Sequence, residues 1–405
     1  MTPPRTVDEH AAVVARLLTP LLLDRPSEEI PLAEARGRVT ARDIHSAVDL
    51  PLFRNAQMDG YAVRAADVAG APIALEITGD IPAGHEVPVA LTPGTAIRIM
   101  TGAPVPAGAD AIVPVEDTEL ILGRDDDLRG AVVEIARPRQ AGEYVRERGS
   151  DIRRGEVLVV AGTRLAARHL AALAAAGVET VTVRARLRVG ILSTGAELVG
   201  SGSAAGYGKI FDSNGVALAA LVEESGAVVS ARIATTDDRD EFERAFRSAH
   251  AVSDVIVTSG GISRGAYEVV REALEPHGAD VTTVAMQPGG PQATAVVDGV
   301  PVISFPGNPV STQVSFTVFL RDALRQSSGL PRIPTSSAVL AGPARSVPGK
   351  RQFLRGRLLP GGVVEQVAGA SSHLVAGMAR SDVLIEVAEE VETLDEGAGV
   401  TVWTL

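Results

Sequence analysis

Six acidic residues sit in turn-like stretches where a carboxylate could meet a ligand: Asp59, Asp151, Glu197, Asp237, Asp238 and Glu268. Several carboxylates converging on one cleft suit a hard cation such as Mg²⁺, which in turn bridges phosphate oxygens. Taken singly, each can also cap a helix or close a turn, and Asp238 of TTDD reads most naturally that way. Asp59 is harder to explain as a cap, because MDGYAV sets it beside a glycine and an aromatic residue.

Five unusual loops carry the remaining candidates: STGAEL (193–198), TTDD (235–238), SGGIS (259–263), QPGGP (287–291) and FPGNPVS (305–311). Their glycines permit close backbone approach and positive φ angles. Helical patterns follow GGIS and PGNP, so free N–H groups there could face a phosphate or oxyanion. An ordinary turn accounts for any one loop; five on one sheet edge are harder to explain by folding alone. Ser311 and Ser372 have no histidine partner at motif spacing and read as oxyanion donors rather than nucleophiles. His373 of SSHL is a lone histidine, a type more often found in packing or at the surface than in catalysis.

Bulk composition narrows the chemistry. The net charge is -12 and aromatics are 3% of residues, which disfavours nucleic acid. With no cysteine in the chain, thiolate catalysis, disulfides and iron–sulfur clusters are excluded. Neither a Gly-Lys-Ser/Thr phosphate loop, a G-x-G-x-x-G after a strand, nor a G-x-S-x-G elbow is present, so common ATPase, nicotinamide and serine hydrolase readings lose support. The N-terminal MTPPRTVDEH lacks a signal-peptide layout and no run of about 18 apolar residues occurs, so a cytoplasmic location is expected.

These loops need a scaffold. From Leu187 onward, apolar strands alternate with amphipathic helices: RVGILSTG, GVALAALVEESGA, VVSARIATTDD, RDEFERAFRSAH, SDVIVTSGG, AYEVVREALEPH, ADVTTVAM, VPVISF, and a long helix in NPVSTQVSFTVFLRDALRQSS. That alternation predicts a parallel α/β sheet whose ligands bind beyond the carboxyl ends of its strands. Short apolar runs between Pro and Gly clusters predict β structure over about 56–141, and the last segment, from about 333, is again β-like. A helix is expected over about 6–19, and another in RLAARHLAALAAAGV, stopped at Gly177.

Together the motifs resemble the molybdopterin molybdenumtransferase family, bacterial relatives of the C-terminal part of gephyrin. The matching stretches run from NAQMDGYAV (55–63) through IRIMTGAPVPAGADAIVPVE (97–116), RERGSDIRRGEVL (146–158), LSTGAEL (192–198), GKIFDSNG (208–215), TSGGIS (258–263) and PGNPVS (306–311) to SSHL (371–374). The resemblance implies four domains: a discontinuous α/β linker domain (1–50 plus 142–185), a β-rich inserted domain (51–141), a molybdopterin-binding α/β domain (186–332) and a C-terminal β domain (333–405). It implies a homodimer with its active site between subunits, and makes the molybdopterin adenylyltransferase an expected partner. The implied substrates are adenylylated molybdopterin and molybdate. AMP is released in a Mg²⁺-dependent step, and molybdenum is left on the dithiolene.

Carried over by motif, Asp59, Asp151, Glu197, Asp237 and Glu268 form the candidate catalytic set, with Asp237 and Glu268 as candidate metal ligands. The candidate substrate-binding set is Thr101, Ser193, Thr194, Gly195, Ser259, Gly260, Gly261, Arg264, Pro288, Pro306, Gly307, Asn308, Pro309, Ser311, Arg355 and Ser372.

Three departures from the family pattern stand out. Where the family reads K-P-G-K-P, this chain has Gln287-Pro288-Gly289-Gly290-Pro291, so two cations are absent; Glu268 replaces an aspartate; Ala196 replaces an acid before Glu197. A charge-assisted hydrogen bond is worth roughly 1.5–3 kcal/mol, so the loss should weaken anion binding. Arg264 and Arg355 are the expected substitutes, Arg being suited to forked oxyanion contacts. The missing lysines also leave open a second reading, a catalytically weak paralog that binds the adenylylated substrate as a carrier or scaffold.

Overall fold

In a computed structural model of the chain, residues 4–23, 25–84, 90–124, 127–200, 206–262 and 268–405 are described. The chain forms two compact units, one of Met1–Glu28, Gly37–Val39 and Arg184–Leu405, the other of Glu29–Arg36 and Thr40–Val183.

The first unit contains the α/β layer and a C-terminal barrel. Its principal strands are β1 (Arg188–Thr194), β2 (Val228–Thr235), β3 (Val255–Ser259), β4 (Asp280–Thr283), β5 (Met286–Gln287), β6 (Pro291–Val297) and β7 (Val300–Phe305), followed by β8 (Ser336–Leu340), β9 (Arg351–Leu359), β10 (Val363–Gln366), β11 (Val383–Val387) and β12 (Gly399–Thr404). The main helices are α1 (Val7–Leu23), α2 (Ser213–Glu224), α3 (Arg239–His250), α4 (Val269–Leu274), α5 (Pro309–Ser315) and α6 (Arg321–Ser327), the last two joined through a π-turn at Phe316–Leu320.

The α/β sheet has the order β2-β1-β3-β7-β6-β4. Strands β2, β1, β3 and β7 are parallel, as the alternation predicts. The other edge differs: β6 runs antiparallel to both β7 and β4. The sequence pattern does not set β6 apart, because QATAVV follows the QPGGP loop directly. The Asp298-Gly299 dipeptide, with φ of 45° and 85°, closes it onto β7. Asp-Gly with both residues at positive φ is a strong hairpin signal. Strand β4 still points the same way as β7, so its end reaches the same sheet edge.

Each face of the sheet is covered, which explains the continuous apolar strands. Val189, Ile191, Leu218, Val222, Val310, Val314 and Leu324 pack one core. Leu192, Ile256, Val302, Phe242 and Leu274 pack the other. Helix α1 was grouped by sequence with the discontinuous domain, but Val7, Val14 and Leu18 join the first of these cores. Its start is held by an Arg5–Asp280 ion pair at 2.8 Å and an Arg351–Asp8 pair at 2.9 Å. An apolar stripe packs where complementary surface is available, whatever its neighbours in sequence.

In the C-terminal region, β9-β10-β8-β12-β11 closes because β11 pairs again with β9. Closure leaves no unpaired sheet edge. Gly356 of β9 must lack a side chain, since a Cβ there would come within 2.8 Å of both Ile385 and Val364. The short β5 pairs in parallel with the start of β9, which ties the QPGGP stretch to the barrel.

The second unit carries a six-stranded sheet in the order Ala111–Pro114, Gly60–Val63, Thr95–Ile99, Ile73–Ile81, Asp127–Ile135, Thr118–Arg124. Val63, Ile77, Val113 and Val133 fill one of its cores. A smaller lobe, with Ile30, Leu165, Leu173, Val181 and Val183 buried together, is drawn from both sides of this insertion. Among the described residues, no helix is long and apolar enough to cross a membrane.

Candidate functional site

The strand ends of the α/β sheet and a loop of the C-terminal region enclose a cavity of about 960 Å³. It is lined by Thr194, Gly195 and Glu197 after β1, Asp237 after β2, Gly260 and Gly261 after β3, and Glu268 before α4. Residues 286–291, the turn Pro306–Pro309 with Ser311, and Ala370–His373 complete the wall. Thus Pro288, Pro306, Gly307, Asn308, Pro309, Ser311 and Ser372 of the candidate set line the same space.

Two glycines let these loops press together. Gly260 has φ +93°, and a Cβ there would lie 2.7 Å from the Thr194 carbonyl oxygen. Gly307 sits against Gly260, a Cβ on it reaching the Gly260 Cα at 3.3 Å. Several amides expected to grip an anion are engaged within the protein. Gly195 N–H donates to Thr235, Gly260 N–H to Phe305 and Val310 N–H to the Ser372 carbonyl. The last bond fastens the Ser372 loop to the start of α5. For these positions the contribution is a rigid, close-packed wall rather than a free donor.

The carboxylates take distinct positions. Asp237 accepts from the Ala196 amide at 3.0 Å, which joins the loops after β1 and β2. Glu197 is exposed and lies over Gly195, whose missing Cβ would meet the carboxylate at 2.7 Å. Asp238 caps α3, accepting from Glu241 N–H at 2.8 Å. Asp212 caps α2 through the Gly215 amide at 2.8 Å and also lines the cavity. Among the described residues no three acids or histidines stand together as a metal-binding group.

Three candidates lie behind the wall. Ser193 and Ser259 are buried, 2% and 1% exposed, and the Ser259 hydroxyl has no partner among the described residues. Arg355 is 1% exposed within the barrel. Its guanidinium donates to the Gly369 carbonyl, beneath the loop that lines the cavity, and burial lowers its pKa. Arg264 falls outside the described residues.

Asp59, Thr101 and Asp151 belong to the second unit. Asp59 Oδ1 accepts from Thr101 N–H at 2.6 Å and Thr101 Oγ1–H at 2.7 Å. The Thr101 hydroxyl, then its amide, hold the carboxyl below the ordinary Asp pKa, with the Arg98 charge adding to the effect. Asp151 is exposed in a turn whose amide donates to Leu50.

Family models match the chain in three consecutive parts: the MoeA N-terminal region (domain I and II) over residues 5–177, a probable molybdopterin binding domain over 190–326, and the MoeA C-terminal region (domain IV) over 337–405. Molybdopterin molybdenumtransferase 2 of Mycobacterium tuberculosis is 40% identical over 99% of this chain and 100% of its own length. The chain belongs to the molybdopterin molybdenumtransferase family. The molybdenumtransferase of Haemophilus influenzae is 31% identical over 96% of each chain. A solved structure of the molybdopterin biosynthesis moeA protein from Pyrococcus horikosii is 33% identical, covers 98% of each chain, and superposes with a TM-score of 0.80. As a member of this transferase family, the chain acts in molybdenum cofactor biosynthesis, and the full-length match does not favour the carrier or scaffold reading. The molybdenumtransferase motifs pointed to most of the cavity loops. Asp212 and Asn214 lie within GKIFDSNG, where no residue is individually marked by sequence; Lys350 lines the cavity from a stretch with no motif.

Proposed function

We propose that the chain transfers molybdenum from molybdate to adenylylated molybdopterin, with cleavage of the phosphate anhydride and release of AMP. The observation that carries this reading is the cavity of about 960 Å³ where strand-end turns, Asp237, Glu268 and the Ser372 loop meet. That volume is at the upper end of small-molecule sites, roughly 300–1,000 Å³, and suits a ligand with a nucleotide and a second ring system. Ser311 and Ser372, which line the cavity, would donate their hydroxyls to an oxyanion.

Mg²⁺ is part of the proposal. It commonly takes only one or two carboxylates and completes its shell with substrate phosphates and water. Asp237 and Glu268, which both line the cavity, fit that donor set, whereas a dedicated all-protein cage is not found among the described residues. When bound, Mg²⁺ would neutralise charge on the anhydride. Homodimerisation, contact with the adenylyltransferase that supplies the substrate, and a cytoplasmic location complete the reading. Asp59, paired with Thr101, and Asp151 are proposed as further catalytic carboxylates.

The test is AMP release from adenylylated molybdopterin with molybdate and Mg²⁺, in the parent chain and in Asp237→Asn. Release in the parent, reduced by at least about tenfold in the variant, supports the assignment. Tight binding of the adenylylated substrate with no AMP release would refute turnover and restore the carrier reading.

A further inference from the structure

The chain has 38 basic residues, and only Lys209 and Lys350 are lysines. Lys350 lines the cavity and Lys209 adjoins one of its loops. Lys209 Nζ donates to the Ala196 carbonyl at 2.6 Å, holding the turn that carries Glu197. Lys350 lines the cavity itself and is the one Lys or Arg among its described lining residues. It shares that lining with four carboxylates, Glu197, Asp212, Asp237 and Glu268. Such a wall repels an anion unless a cation is set into it.

The backbone places Lys350 beside the stretch that lacks the family lysines. Arg351 N–H donates to the Ala285 carbonyl at 2.9 Å, and β5 pairs Met286 with Arg351 and Gln287 with Gln352. Gly349, with φ +74°, turns the chain immediately before it. Gly289 and Gly290 line the same cavity and bring no charge to it. Of the neighbouring cations, Arg351 is paired with Asp8, Glu386 and Glu389, and Arg355 is buried, one nitrogen donating to Gly369. Lys350 is exposed and has no hydrogen bond or ion pair among the described residues.

We infer that Lys350 is an oxyanion-binding cation of this cavity, supplying from the turn before β9 charge that Gln287 and Gly290 do not. Its ligand is a tetrahedral oxyanion, either free molybdate or the phosphate of the nucleotide. The inference rests on the proposed transferase reading for the identity of that ligand. A compact ammonium on a flexible stem presents three donors without a fixed plane, which suits a tetrahedral anion approached from one side.

Reductive methylation with ¹³C-formaldehyde keeps the lysine charge and labels only Lys209, Lys350 and the N-terminal amine. Loss of one signal in Lys350→Gln assigns it. On titration of the parent chain, a Lys350 shift with molybdate assigns the free oxyanion, and a shift with AMP assigns the nucleotide phosphate. Lys350→Gln should weaken binding of that probe about tenfold and flatten its salt dependence, while Lys350→Arg stays within about threefold of the parent. Saturable binding with a silent Lys350 signal, or unchanged affinity in Lys350→Gln, overturns the inference alone. If calorimetry detects binding of neither probe to the parent chain, the proposed function falls with it.

Discussion

His10 of α1 couples stability to pH in a way that can be worked out from its surroundings. It is fully buried, its ring meets Phe319 edge-on at 4.7 Å, and Arg5 donates to its Nδ1 at 3.4 Å. Its Nε2 has no partner among the described residues. Burial, reinforced by the Arg5 charge and only partly opposed by Asp280, pushes its pKa down from 6.5 to about 4. The folded imidazole is therefore neutral where the unfolded one has begun to bind a proton. Its cost is absent above about pH 7.5, grows as pH falls through the unfolded value, and levels off below the folded value. At about pH 5 the two pKa values imply a loss of ~2 kcal/mol relative to about pH 7.5. His10→Leu removes this titration while leaving Arg5 its Asp280 partner. The single tryptophan, Trp403, lies in the same unit and packs edge-on to Phe353 at 6.0 Å. Denaturant unfolding followed by its fluorescence at the two pH values should show the parent losing ~2 kcal/mol more than the variant on acidification. Equal losses in both chains, within about 0.5 kcal/mol, would refute a neutral, buried His10.

Three further outcomes are expected. Gly260→Ala forces a Cβ toward the Thr194 carbonyl at positive φ and should cost about 1–3 kcal/mol in the same unfolding measurement; an unchanged midpoint would show that the two loops are not in contact. Thr101→Val removes the hydroxyl donor to Asp59, and ¹³C-carboxyl titration should show the Asp59 pKa rising toward 3.8. A pKa that stays depressed would assign the effect elsewhere. Arg351→Met leaves Asp8, Glu386 and Glu389 without their shared cation and should destabilise the chain by about 1–2 kcal/mol. A loss of that size should shrink in high salt, because Asp8 is exposed; a salt-independent effect would point to packing of the Arg351 stem instead.

Local patterning made much of the molecule legible in advance. Apolar runs such as VIVTS and VISF are buried on both faces and read directly as inner strands. Glycine at Gly260 and Gly261 follows from positive φ, a requirement visible in the residue type itself. Asp238 followed by an amphipathic run announced a capped helix, and the motif order announced the family. Asp298-Gly299 is likewise a turn signal for the β6–β7 hairpin, although the Pro and Gly residues before β6 have the pattern of a loop.

Other features depend on contacts between residues far apart in sequence, which no local pattern encodes. Helix α1 has an apolar stripe that could cover any suitable surface, and only the folded chain shows it on the α/β core. The sequence marks Arg355 as a candidate ligand cation; only tertiary packing shows that it is buried beneath the Gly369 loop. Lys350 has no motif around it; it faces the cavity because β9 pairs with β5 across more than sixty residues of chain. Residue type determines what a side chain can do and what its backbone tolerates. Which groups face one another is decided by sheet register and core packing, because those energies are summed over many distant partners.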